Sequence, residues 1–278
     1  MKCRFCGYVD CQINKQVISP YNQFTYSLYS CHSCGSQFFD PGEHEASLKQ
    51  MYDDFSTRRG HFPQEFYPNK SWAKQVMITT RLLGRQPRSV LDVGCRTGDF
   101  LLHFDRNVQC EGIELSASFA EIARKRGLKV HNDFAENIDF THKFDIVSCF
   151  ALLEHIENPA VLLDRLVPVI PHGGLLVILI PTHQSLKSFI ANMTGKSWHM
   201  YRPPEHLNFF SRKYLDQLLG QKNMALVKRY YTSGGMINPF PGIPIVNLLI
   251  RKSVQMIDNS FFNKIPFYDH MYSYYMKY

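Results

Sequence analysis

The sequence predicts an α/β fold: a doubly wound, mostly parallel sheet with a small metal-held unit in front of it. Three observations predict this. From residue 88 onward, strand-sized apolar runs alternate with helical patterns. A glycine turn, "LDVGCRTGDF" (91–100), closes the first of those runs, and an acidic strand end follows about 20 residues later. Two Cys-x-x-Cys pairs, "CRFCG" (3–7) and "CHSCG" (31–35), stand near the start of the chain.

Each cysteine pair is followed by glycine, and 24 residues separate the two. Two residues between cysteines let both thiolates of a tight turn face one ion, while the glycine accepts the backbone twist. Two such turns supply a closed tetrahedral set, so Cys3, Cys6, Cys31 and Cys34 are expected to hold a structural zinc. A redox pair is the alternative, and two matched knuckles argue against it. Cys11 and His32 lack a knuckle's spacing. "QFTYSLYSC" (23–31) alternates as a strand leading into the second pair. The expected unit is a zinc ribbon over 1–50, folding with its metal. A connecting helical segment (51–87) leads to the main domain, 88–278.

In that domain the expected strands are 89–94, 108–115, 128–132, 144–150 and 174–181, with helices at 98–106, 116–127 and 158–168 between them. A helix (211–221) and a strand (225–231) follow, then an insertion, 233–269. Ligands of such sheets sit beyond the carboxyl ends of the strands. Asp92, Gly94 and Gly98 fall where the first strand turns into the first helix. Glu114 ends the second strand, where a carboxylate accepts both hydroxyls of a ribose. Glycine turn plus acidic strand end point to a cofactor containing adenosine.

Bulk properties narrow the class. The longest apolar stretch (173–181) is strand-sized, far short of the ~20 residues of a membrane span. The first residues lack a signal-peptide core, so a cytoplasmic protein with reduced thiols is expected. The net charge of +7 is scattered, as on a solvated surface. Tyr and Phe crowd the two ends of the sequence, suggesting stacking or interface surface.

The motifs "VLDVGCRTGDF", "GIELS", "FDIVSCFALLEHIENP" and "GGLLVILIPT" resemble, in order, those of the class I S-adenosylmethionine (SAM)-dependent methyltransferases. "YRPPEHLNFFS" (201–211) resembles a subgroup that also carries an N-terminal zinc ribbon and includes sugar methyltransferases and enzymes of polysaccharide or natural-product pathways. The resemblance implies a Rossmann-like, seven-stranded fold with an antiparallel last strand near 271–278 and a lid over 183–210. It implies that Gly94 and Gly98 pass close to the methionine part of SAM, that Glu114 holds the ribose, and that Asp133 sits beside the adenine amine. Phe150 joins this cofactor set, and Asp92 braces the glycine turn. Arg96 departs from the pattern, which favours Gly or Ala there. Its side chain would either clash with the cofactor or swing outward to pair with the cofactor's carboxylate.

By the same resemblance, Glu205 and His206 serve the active site, with His206 as general base and Glu205 orienting it; imidazole titrates near neutral pH. His155 has a packing or catalytic role, His183 lines the cofactor mouth or is a plain loop residue, and Tyr201 and Trp198 stack on substrate or fill the core. The expected activity is methyl transfer to a small molecule: a sugar, nucleotide-sugar or other biosynthetic intermediate. The rivals are an RNA methyltransferase and a binding protein whose turnover Arg96 has abolished. The ribbon's three basic residues before its second knuckle (Lys2, Arg4, Lys15) argue against nucleic acid. For 233–269, whose apolar stretch is flanked by Arg251 and Lys252, a substrate cover or homodimer contact is expected ahead of a weak membrane-surface contact.

Overall fold

A computed structural model describes residues 1–40, 66, 68–232, 266 and 268–278. Residues 41–50 of the expected ribbon, 51–65 and 67 of the connecting segment, and nearly all of the insertion, including Arg251 and Lys252, lie outside the described residues.

Two sheets organise the rest. The larger has seven strands in the order β10-β11-β8-β7-β4-β5-β6. Its strands are β4 (Ser89–Val93), β5 (Gln109–Ile113), β6 (Lys129–His131), β7 (Ile146–Phe150), β8 (Leu175–Pro181), β10 (Met224–Thr232) and β11 (His270–Lys277). β4 to β8 are parallel, and β11 runs antiparallel between β8 and β10. β4 is buried at every position and β7 at all but its last. A parallel sheet covered on both faces demands such continuous burial, so these strands read as apolar runs in the sequence.

Helices α1 (Lys70–Leu83), α2 (Ala117–Lys125), α3 (Pro159–Leu166), α4 (Leu186–Met193) and α5 (Arg212–Gly220) flank the sheets. Side-chain oxygens of Asn69, Ser116, Ser185 and Ser211 cap four of them. The helix expected over 98–106 is instead one 3-10 turn, Leu101–His103. Asp105 ends it: its carboxylate accepts from the Asn107 amide at 2.9 Å and its carbonyl from Val108, a local turn that competes with helix.

The second sheet is antiparallel, in the order β1-β2-β3-β9: β1 (Cys11–Ile18), β2 (Thr25–Cys31), β3 (Gln37–Phe39) and β9 (Asn208–Phe209). The first cysteine pair precedes β1, the second stands at the turn from β2 to β3, and the fourth strand comes from the expected lid. Between them lies a core of Tyr26, Leu28, Phe39, Trp198, Tyr201, Leu207 and Phe209. Trp198 and Tyr201, at 1% and 4% exposure, are core residues here. Several tyrosines late in the sequence are also core: Tyr230, Tyr272 and Tyr274 stack across β10 and β11, and Tyr230 and Tyr274 bond the buried amide of Gln75 on α1, while Tyr278 is exposed. No helix among the described residues is long and apolar enough to cross a membrane.

Candidate active site

The turn after β4 holds Gly94, Arg96 and Gly98 at φ of 77°, 50° and 78°. Glycine adopts this region without cost; arginine does not. Glu114 holds the strained residue in place, since Arg96 N donates to its Oε2 at 2.9 Å while Ser116 N donates to Oε1 at 2.8 Å. The Arg96 guanidinium leaves the turn and lies over Phe119 on α2, 5.4 Å from the ring centroid. A Cβ on Gly98 would come within 2.1 Å of Leu128 Cδ1, so that side chain would have to shift in addition to the backbone strain. Gly112 on β5, passed over in the sequence, is similarly crowded: a Cβ would meet Cys95 Sγ at 2.4 Å.

Glu114 is 9% exposed, and burial pushes its carboxyl up against the pull of the Ser116 and Arg96 amides. Asp92 accepts from Ser148 Oγ at 2.6 Å, so the brace it provides runs across the sheet to β7. Burial pushes its carboxyl up to about 7. Asp133, exposed on the loop after β6, accepts from the Phe134 amide and Asn137 Nδ2 at 2.7 and 2.8 Å. Asn132 ties that loop to the one after β5, donating to the carbonyls of Glu114 and Leu115. Leu115 and Phe134 on these linked loops are more than half exposed. Two exposed apolar side chains beside a buried carboxylate suit the faces of a flat heterocycle, and the signal for them was their position directly after Glu114 and Asp133. Phe150 lies in an aromatic cluster, 4.9 Å from Phe100 and 5.1 Å from Trp72 between centroids.

The loop after β7 and the lid meet at a second focus. Leu207 N and Asn208 N both donate to the Glu154 carbonyl, and Asn208 Nδ2 bonds the carbonyls of Leu153 and Ile156. This clasp brings His206 beside His155, with ring centroids 4.9 Å apart. The Glu205 carboxylate pairs with Arg202 at 2.9 Å, and its carbonyl accepts from His155 Nδ1 at 2.6 Å. His206 is oriented instead by the Met200 carbonyl, 2.9 Å from Nδ1. Burial, then the neighbouring His155, pushes His206 down to about 3, and an imidazole so hard to protonate is a weak proton acceptor. Burial pushes Glu154 up to about 8. His183 lies elsewhere, its Nε2 3.1 Å from the Gly35 carbonyl, and His199 reaches toward Asp269 at 3.6 Å.

The sulfurs of Cys3, Cys6, Cys31 and Cys34 lie within 4.8 Å of one another. Two of the pairs, Cys3–Cys34 and Cys6–Cys31, are 3.8 and 3.6 Å apart. A tetrahedral ion with ~2.3 Å bonds to sulfur requires about 3.8 Å between sulfurs, so the donor set fits zinc. The turns carrying them are closed by Gly7 N to Cys3 O and Gly35 N to Cys31 O. Both are anchored to the main domain: Tyr214 OH donates to Phe5 O, and Ser211 Oγ to Cys34 O.

Residues 64–229 match a family model described as a methyltransferase domain. The ajmaline N-methyltransferase of Rauvolfia serpentina is 29% identical over 52% of this chain, which spans about half (47%) of that enzyme's length. The ubiquinone biosynthesis O-methyltransferase of Actinobacillus pleuropneumoniae is 26% identical, over 55% of this chain and 70% of its own. Among solved structures, the magnesium protoporphyrin IX methyltransferase of Synechocystis PCC 6803 with bound SAH superposes with a TM-score of 0.55. It is 13% identical and covers 85% of this chain and 100% of its own. The plantazolicin methyltransferase BamL, with a desmethyl analogue and SAH, gives 0.51 at 18% identity, over 85% and 91%. At such identities these structures share the fold.

Proposed function

The chain belongs to the methyltransferase-domain family, and on that premise we propose that it is a SAM-dependent methyltransferase acting on a small molecule, with a sugar or nucleotide-sugar as the acceptor class. The observation that carries this reading is the buried Glu114 carboxylate, held by two backbone amides at the carboxyl edge of the sheet. A carboxylate offers about four lone-pair directions, so acceptor capacity remains for a ribose hydroxyl. Leu115 and Phe134 would flank the adenine and Asp133 its amine, while Gly94 and the rest of the turn would face the methionine part. When bound, SAM supplies a methyl group on a sulfonium centre.

Acceptor activation is assigned to His206, with Glu205 positioning the histidine pair through its carbonyl to His155. The sugar class is supported by the "EHLNFF" motif together with the cysteine-rich unit on which the lid rests. Cys3, Cys6, Cys31 and Cys34 would hold a structural zinc that leaves no coordination position open to substrate.

Calorimetry with SAM and SAH, followed by an SAH-release assay over a panel of nucleotide-sugars, tests the proposal. Binding of both cofactors and turnover with a member of that panel are expected. A wild-type protein that binds neither would overturn it.

A further inference from the structure

We infer that Glu154, His155 and His206 form a second metal site, taking a first-row divalent cation such as Zn2+, Mn2+ or Fe2+ between the β7 loop and the lid. Their ligand atoms (one carboxylate oxygen and two imidazole nitrogens) lie within 4.8 Å of one another. Two histidines and one carboxylate are a donor set that such cations favour, and three protein ligands leave positions open for an exogenous oxygen.

Two further observations favour a cation over a plain packing cluster. Both imidazoles have Nδ1 fixed on a backbone carbonyl, His155 on Glu205 and His206 on Met200. For His206 that outer-shell pattern sets the tautomer in which Nε2 is the ligating atom, while the His155 ring also meets the Ala151 carbonyl, a contact that a bound cation would displace. His155 Nε2 faces Glu154 Oε1 at 3.9 Å. The Glu154 side chain is about 2% exposed, and its Oε2 is buried with no hydrogen-bond partner. A polar oxygen in that position is costly unless a donor or a cation satisfies it. The one separation of 3.9 Å exceeds the ~3.4 Å between ligands of a loaded tetrahedral site, so binding draws these two groups together.

The clasp of Leu207 and Asn208 on Glu154 holds the contributing segments together without the ion. His155 is the most exposed of the three. The use of the site, binding an acceptor oxygen and lowering its pKa, rests on the methyltransferase reading; the existence of the site does not. In this arrangement His206 activates the acceptor through the cation it holds.

The test is cobalt exchange into the full chain, with total metal counted by atomic spectroscopy. Thiolate-to-cobalt charge transfer reports the cysteine site, and weaker visible bands without it report a nitrogen–oxygen site. Two equivalents are expected in the wild type. Glu154→Gln and His206→Asn should each weaken the second by more than the ~10–100-fold that loss of an outer-shell partner costs. The charge-transfer band and SAM affinity should persist, which shows that the variants remain folded. A wild type holding one equivalent, all of it thiolate-bound, overturns the site, as does a second equivalent that survives both substitutions. Wild-type protein that binds two equivalents but no SAM would remove the methyltransferase reading and leave the site standing.

Discussion

Arg96 is a charged side chain at a positive φ, in a turn where glycine would be free of strain. Its amide engages Glu114 and its guanidinium rests over Phe119, so both ends are occupied by the protein. The prediction is that wild-type chain binds SAM and that Arg96→Gly leaves the affinity unchanged or weaker. Titration calorimetry decides it, and a glycine variant that binds where the wild type does not would reverse the conclusion. Glu114 is the more sensitive position. Replacing it with Ala removes the ribose acceptor and the brace on Arg96 together; charge-assisted bonds of this kind are worth ~1.5–3 kcal/mol each. SAM affinity should therefore fall by at least tenfold, and unchanged affinity in the same calorimeter would mean that the cofactor lies elsewhere. Asp92 gives a pH signature. Its carboxyl titrates near 4 when unfolded and at about 7 when folded. Between those values the folded state holds the extra proton, so Asp92 makes stability decline as pH rises from about 4 to about 7. Asp92→Asn should flatten that decline in urea melts across this range, and an unchanged slope would refute it.

At the level of elements, the cysteine unit and the lid are one structure. β3 pairs with β9, and Phe5 and Cys34 offer carbonyls to Tyr214 and Ser211. Freshly purified protein should carry about one thiolate-bound zinc per chain, and Cys31→Ser should loosen 198–210 while SAM still binds. Hydrogen exchange reads this directly: protection lost only within 1–40 would show that the lid stands independently. The two Cys-x-x-Cys turns were legible because a ligand spacing is a local fact. The pairing of β3 with a two-residue strand about 170 positions later was not, because no local propensity marks so short a strand. The Glu154–His155–His206 cluster was hidden for the same reason. His206 was visible as a chemical group, but its orienting partner proved to be a carbonyl of Met200, which any residue type could supply.

For the whole molecule, the parallel strands were legible from burial on both faces, and the expected 98–106 helix failed because Asp105 closes a competing turn. At low pH the Asp145–Arg85 pair matters. Two guanidinium contacts of 2.8 and 2.6 Å hold that carboxyl below its usual value, so its contribution is present above about pH 4 and is lost as pH falls through the folded value. Arg85→Gln should raise the pH of acid unfolding, and an unmoved midpoint would show that the partly exposed pair is fully screened. The last strand in sequence, β11, lies inside the sheet, between β8 and β10. During synthesis β8 therefore leaves the ribosome with one long edge unpaired, and it stays so while nearly ninety more residues are translated. Over that interval the nascent chain presents an apolar, β-rich template to any other chain, and a chaperone that shields it should raise the yield of folded protein more than any stabilising change in the finished structure.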